Sequence, residues 1–399
     1  MDSLTHVITG GVIARAIQDE KLGRWGTIAG LAMGAFPDMD FVLGLFNRQF
    51  YLQYHRDFTH SVLLIPFYAF FFSWIFVKIS RRSFFRRYYA ICLFALLSHV
   101  VLDLLTSYGT MIFSPFSEHR YAWDLLFIID LFFSGWIILP WLIGLLWKQR
   151  APWLCRGALI GAATYVLFCW VQHERASAEV RNFAKGLKAR VVQTASLPQP
   201  LSPFRWANYV ETEERVHQGF VDFLRMKRIE PLAREEGPLL EKGLSATIRK
   251  LDRLYDPPGE VHYASWPKVV NSPWVEKALL TDGVRFYYWF ARFPVVRSVH
   301  SNNGRHRVEF MDARFLVPSL RLPFVYYVEF NDRGDLISEG FVEGKGGRIA
   351  DTPGREDWKG EVSYGISPSW PIGAKNLLPC SWDDEFRKRH LTGRIFSDH

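Results

Sequence analysis

The chain changes character near its middle. Up to about residue 175 its apolar positions come in long unbroken runs, and beyond that point they come in short runs broken by charges. A helix that crosses a bilayer needs about 20 mainly apolar residues. Four runs approach that length, roughly 60–79, 88–107, 125–147 and 153–172, and two weaker ones precede them, 4–18 and 25–45, the latter interrupted by glycines and by Pro37. The pattern predicts a multi-pass α-helical membrane domain of about six helices over residues 1–175. A polar helical stretch, "RASAEVRNFAKGLKARVVQTA", and a Pro-rich segment, "LPQPLSPF", predict a linker over 176–202.

From 203 to 399 the period shortens. "RWANYVET", "RVHQGFVDF", "VRFYYWFARFPVVRSV", "RHRVEFMDARF" and "FVYYVEFND" look like strands, and "SNNGRH" and "NDRGD" have the Asn, Asp and Gly content of hairpin turns. "SPWVEKALLTDGVRFYYWF" adds at least one helix entering the sheet. This second unit is expected to be a small α+β domain with an antiparallel sheet. Its histidines, His262, His300, His306 and His390, show no ligand spacing and fit surface or turn roles.

Composition sharpens the division. The chain has 399 residues, 49% of them hydrophobic, and a formal charge of +8; the length suits about two domains. Much of the basic excess flanks apolar runs, where arginines report membrane topology rather than nucleic-acid binding. No nucleic-acid motif, phosphate-binding Gly loop or serine nucleophile elbow is present, so no nucleic-acid partner is expected. "KISRRSFFRR" carries five positive charges and no acid, and "KQRAPWLCR" carries three and no acid. The positive-inside rule puts both loops in the cytoplasm. Counting passes outward from them places the N-terminus and everything beyond about residue 173 outside, which makes the second unit extracytoplasmic and the location the cytoplasmic (inner) membrane. The start "MDSLTHVITGG" lacks a basic n-region and a clean apolar core, so no cleavable signal is expected. Of the four cysteines, Cys92, Cys155 and Cys169 lie in apolar runs and Cys380 has no evident partner, which argues against a disulfide framework.

The candidate chemistry lies among polar residues placed where they are costly. His6, Asp38 and Asp40 of "FPDMD", His55, Asp57 and His60 of "HRDFTH", and His99 and Asp103 of "SHVVLD" lie in or beside the apolar runs. By the charge-derived topology all fall in or near the outer half of the membrane. Ionisable groups there are a functional-site hypothesis by default. His99 and Asp103 are four apart and share one helix face. Imidazole and carboxylate are natural ligands for a divalent metal, Zn²⁺ first, with Mn²⁺ or Fe²⁺ as alternatives, and a shared cation removes the cost of burying them unpaired. The candidate ligands are His6, Asp38, His55, His60, His99 and Asp103, with Asp40 an alternative carboxylate. Asp38, Asp40 or Asp57 is the candidate base for a metal-activated water. Simpler roles compete: Asp57 as N-cap of a helix starting at Phe58, Asp124 as cap of the 125–147 helix, Asp130 bonded to a neighbouring helix, and Arg56 as an interface anchor.

Taken in order, "MDSLTHVITG", "FPDMD", "YHRDFTHS" and "SHVVLDLLTSYGT" resemble the YdjM-type membrane-bound metal-dependent hydrolases. The resemblance is specific over residues 1–150 and looser through "SPFRWANYVET" and "FYYWFARFPVVR". That family is distantly similar to zinc-dependent phospholipase C and to single-strand nucleases of the same helical fold. The likeness implies that His6, Asp38, His60, His99 and Asp103 are metal ligands and that the reaction is phosphoester hydrolysis. The chain departs from the phospholipase pattern in having no N-terminal Trp and fewer histidines than a three-zinc site takes. The expected activity is hydrolysis of a phosphoester of a lipid or lipid-linked molecule, with membrane lipids as surroundings. Two other classes fit the same residues: a metal-stabilised scaffold whose outer domain binds a partner, and a transporter, for which no internal repeat is evident.

Overall fold

The computed structural model describes residues 1–17, 22–45, 48–228, 252–268, 270–316 and 323–342. The chain forms two compact units, residues 1–175 with 197–206, and residues 176–196 with 207–399. Cys380 and His390 lie outside the described residues.

The first unit is helical. Its elements are α1 (Ser3–Ile17), α2 (Arg24–Ala35), α3 (Arg48–Tyr54), α4 (Ile65–Ser80), α5 (Phe85–Leu104), α6 (Leu131–Leu146) and α7 (Ala151–Gly186). A 3₁₀ segment, Pro37–Leu45, continues α2 after a 47° bend, and a short one, Phe58–His60, precedes α4. Two stretches, Phe85–Leu104 and Lys148–Gly186, are long and apolar enough to cross a membrane. The bent pairs Arg24–Ala35 with Pro37–Leu45 and Arg48–His60 with Ile65–Ser80 bring the number to four at most. The six passes expected from the apolar runs are therefore not all matched by length. At 1.5 Å per residue, α1 and α6 are about 23 and 24 Å long, short of the roughly 30 Å hydrocarbon core. The 125–147 run loses its first turn and a half because Asp130 caps α6, its carboxylate accepting from Phe133 N at 2.9 Å. Asp124 does not take that role. Asp130 also accepts from the Tyr165 hydroxyl of α7 at 3.1 Å, the interhelical bond expected of it.

The helices pack in two layers of contact. Ile65, Ala69 and Phe76 of α4 meet Ile91, Ala95 and Leu96 of α5 and Ala29 and Met33 of α2. Val12 of α1 joins Phe133, Ile137 and Trp141 of α6 and Cys155, Ala158 and Ala162 of α7. Between α1 and α2 there is scarcely a side-chain layer. A Cβ on Gly30 would run into the Gly10 carbonyl oxygen, one on Gly10 into that of Gly30, and one on Gly34 would lie 2.5 Å from the His6 carbonyl oxygen. Backbone-to-backbone approach through small residues is how helices associate where lipid gives no hydrophobic drive. Here it sets the start of α1 against the end of α2.

The second unit carries two four-stranded sheets, in order β1-β2-β3-β4 and β5-β6-β7-β8, where one antiparallel sheet was expected. The strands are β1 (Val191–Pro198), β2 (Arg205–Thr212), β3 (Arg215–Asp222), β4 (Tyr263–Pro267), β5 (Pro294–Asn302), β6 (Arg305–Asp312), β7 (Tyr326–Asn331) and β8 (Leu336–Phe341). Pairings β3–β4, β5–β6, β6–β7 and β7–β8 are antiparallel. The "SNNG" turn joins β5 to β6 with Asn303 and Gly304 at φ of 49° and 73°, the left-handed pair a tight hairpin demands. Within this unit Tyr209 stacks on Phe293, and Gln218 donates to the carbonyls of Ala313 and Leu316, so the sheets share a core.

Two sequence readings change. The stretch expected to be helical is so only as far as Gly186, the end of α7, and Val191–Pro198 form β1 instead. "VRFYYWF" is helical, not the start of a strand. α8 (Pro273–Ala278) is followed by α9 (Asp282–Phe290), capped by Thr281, whose hydroxyl accepts from Val284 N. Val284, Tyr287 and Tyr288 are buried at helical spacing. Aromatic-rich runs fit either period, and the cap decides.

The α1–α2 seam is testable. Gly30→Ala should lower stability in detergent by about 1–3 kcal/mol, the usual cost of overpacking. Gly135→Ala, whose Cβ meets nothing within 4 Å, should leave thermal unfolding unchanged. Equal midpoints for the two variants would mean the seam yields freely.

Candidate metal centre

Two helix ends and two 3₁₀ segments bring the polar residues together. His6 comes from the second turn of α1, Asp38 from the bend after α2, His60 from the turn before α4, and His99 and Asp103 from the end of α5. His6, His60, His99 and Asp103 are fully buried, and the Asp38 side chain keeps 17% of its surface. One ligand atom each of Asp38, His60, His99 and Asp103 falls within a common 4.8 Å. His60 Nε2 lies 3.2 Å from His99 Nε2, 3.1 Å from Asp103 Oδ2 and 3.9 Å from Asp38 Oδ1. His99 Nε2 lies 3.5 Å from Asp103 Oδ2 and 3.4 Å from Asp38 Oδ1. Tetrahedral ligation at 2.0–2.1 Å implies ligand-to-ligand edges of about 3.3 Å. The observed edges bracket that value.

The proton inventory gives the same answer. His99 Nδ1 lies 2.8 Å from the Gly34 carbonyl, which can only accept, so Nδ1 carries the hydrogen and Nε2 of the neutral ring is bare. Thr59 Oγ1 is 3.4 Å from Asp40 Oδ2, to which it donates, and 3.0 Å from His60 Nδ1, from which it accepts. His60 Nε2 is bare too. Asp103 is divided: Oδ1 accepts from the Met1 amino group, from His6 Nε2 at 3.1 Å and from Arg56 Nη2 at 2.8 Å, whereas Oδ2, also buried, has no hydrogen bond. Asp103 Oδ2 thus faces both Nε2 atoms in a buried group that is open only at Asp38. A divalent cation at their centre would turn that juxtaposition into ligation.

The other candidates surround this group. His6 stacks on the His99 ring, centroids 3.7 Å apart, and bonds Asp103; its Nδ1 has no hydrogen-bond partner. Asp40 does not converge with the four. Its Oδ1 meets His55 Nδ1 at 2.8 Å and its Oδ2 accepts from Arg56 N at 2.9 Å, so it ties the 55–60 turn to the 3₁₀ segment. His55 stacks on Tyr51 and lies outside the four-residue group. Asp57 also lies outside it and makes no cap bond to the Phe58–His60 turn, so its expected N-cap role is not found; it faces Ser114 and Arg120. Ser3 Oγ donates to Asp38 Oδ2 at 2.8 Å.

Arg56 is the residue that sequence reasoning placed wrongly. Instead of anchoring at an interface it is buried, 4% exposed, reaches Asp103, and has its guanidinium 4.8 Å from the Tyr108 ring centroid. The available signal was its position inside "HRDFTH", a cation among candidate ligands. The Gly34 carbonyl, a backbone acceptor, leaves no trace in side-chain patterns.

Residues 1–176 match the family described as YdjM inner membrane protein. The uncharacterized protein YfhP of Bacillus subtilis (strain 168) is 33% identical over 139 residues, which cover 33% of this chain and 42% of that relative. This chain therefore spans less than half the length of the curated relative. No solved structure matches the chain. Residues 1–176, the part of the chain that matches the YdjM inner membrane protein family, contain every residue of the convergent group.

Proposed function

We propose that this protein is a membrane-bound, metal-dependent hydrolase acting on a phosphoester of a lipid or lipid-linked molecule. The observation that carries it is the unpartnered Oδ2 of Asp103 facing His60 Nε2 at 3.1 Å and His99 Nε2 at 3.5 Å, with Asp38 completing the group. An ion held by Asp38, His60, His99 and Asp103 supplies Lewis acidity and brings a water's pKa towards neutrality, with Zn²⁺ the best fit to this donor set. Around it, Asp38 is the ligand nearest the surface, the side from which a substrate is admitted. Arg56 sets fixed positive charge beside the group, suited to a phosphoryl anion. Because Asp40 is engaged with His55, the proton-accepting role falls to that pair, with Asp40 orienting the ring and Nε2 taking the proton.

The proposed setting is the cytoplasmic membrane, crossed several times. The basic residues sit at the helix ends opposite the cluster: Arg15 ends α1, Arg24 starts α2, Lys78 ends α4 and Arg86 starts α5, about 20 Å along the helix from His99. By the positive-inside rule the cluster then faces outward and the second unit is extracytoplasmic. A second reading, a closed structural metal site in a scaffold, is favoured by one observation: His60, His99 and Asp103 have no exposed surface, and four protein ligands can fill a tetrahedron.

Purified full-length protein should carry stoichiometric metal by elemental analysis. His99→Ala should abolish it, and Thr59→Ala, which removes the hydroxyl 3.0 Å from His60 Nδ1, should weaken affinity by about 10–100-fold, as loss of an outer-sphere partner does. Unchanged metal in His99→Ala would remove the site. Metal-replete protein should hydrolyse bis(p-nitrophenyl) phosphate or phosphatidylglycerol, with activity lost to a chelator. Full metal without phosphoesterase activity would select the scaffold. A reporter fused at His399 should be active only outside the cytoplasm, and cytoplasmic activity would reverse the orientation.

A further inference from the structure

At the helix ends remote from the metal centre, cations rest on aromatic rings. Arg15 lies over Trp141 at 4.1 Å, Lys78 over Trp74 at 4.0 Å, Arg150 over Trp147 at 4.8 Å and Arg156 over Trp153 at 5.0 Å. Two of them, Arg15 and Arg156, lie where the last turn of α1 meets the junction of α6 and α7. Arg15 Nη1 is buried there with no hydrogen-bond partner, 3.7 Å from where a Cβ on Gly144 would stand. Arg156 Nε donates to the Ala16 carbonyl at 3.0 Å, so a second guanidinium is held at the C-terminal turn of the helix that carries Arg15.

A ring face supports a cation but leaves in-plane N–H groups unspent. Planar N–H forks suit the paired oxygens of a phosphate. Tryptophans collect at headgroup depth, and Leu146, Trp153 and Ile160 next to the corner are exposed apolar surface on which acyl chains can lie. We propose that Arg15 and Arg156 form a binding site for the phosphate of an anionic phospholipid headgroup. Free phosphate shares the chemistry but leaves that apolar surface uncovered. The site is independent of the metal centre and of the reaction assigned to it.

The test uses full-length protein in detergent, mixed with phosphatidylglycerol or phosphatidylcholine and analysed by native mass spectrometry. Wild type should retain phosphatidylglycerol in preference to phosphatidylcholine. Arg15→Gln should weaken retention about fivefold, the worth of one cation near an anionic surface, and the double variant Arg15→Gln/Arg156→Gln further. Arg305→Gln, a charge removed from the β5–β6 hairpin, should change nothing. If Arg15→Gln is misfolded by size exclusion, Arg15→Lys, which keeps the charge and loses the fork, should still weaken retention. Retention unchanged in the Arg15 variants, or weakened equally by Arg305→Gln, would overturn the proposal. So would inorganic phosphate that displaces the lipid as effectively as added phosphatidylglycerol.

Discussion

The helical unit is organised around one carboxylate. Burying Asp103 without compensation would cost several kcal/mol. Its surroundings compensate one oxygen fully and leave the other bare: His6, Arg56 and the Met1 amino group converge on Oδ1, while Oδ2 faces His60 and His99. Satisfying Oδ1 requires α1, the 55–60 turn and α5 to meet. Using Oδ2 requires the bend after α2 and a cation. The tertiary contacts that end near this group follow from that division.

The α1–α2 seam serves the same end. Because glycines let the two backbones touch, the Gly34 carbonyl lies within reach of His99 Nδ1, and the His6 backbone lies against Gly34. A bulkier seam would separate the groups that fix the tautomer of one ligand and the position of another. Helix packing and proton placement are here one constraint.

Much of the cluster was legible because its spacing is local. His99 and Asp103, four apart in an apolar run, announce a shared face, and His60 and Asp38 stand out as titratable groups beside apolar segments. Dividing Asp38 from Asp40 was not legible, since it depends on a 3₁₀ bend rather than on residue type. Arg56 was misjudged because its partner is far off in sequence, and a lone arginine beside an apolar run has a simpler explanation. In the second unit, alternation located strands such as β2 and β6, but aromatic-rich "VRFYYWF" satisfies both periods, and only the Thr281 cap marks it as helix. Each sheet pairs strands in sequence order, and the split is a break between β4 and β5, on which local alternation is silent.

The 3₁₀ geometry of Pro37–Leu45 has a further consequence. At three residues per turn, side chains two apart leave the axis about 120° from each other, so Asp38 and Asp40 address different sides: one the metal group, the other the turn bearing His55. The segment works like a cam with two lobes, its angular phase fixed by the bend at Phe36 and Pro37. Inserting or deleting a single residue there would turn both lobes by about 120° and uncouple the ligand from its support. Chemically conservative substitutions preserve that phase. "FPDMD" is therefore constrained in length more tightly than its small size suggests, and a family resemblance carried by this motif should admit changes of residue at Met39 far more readily than changes of register.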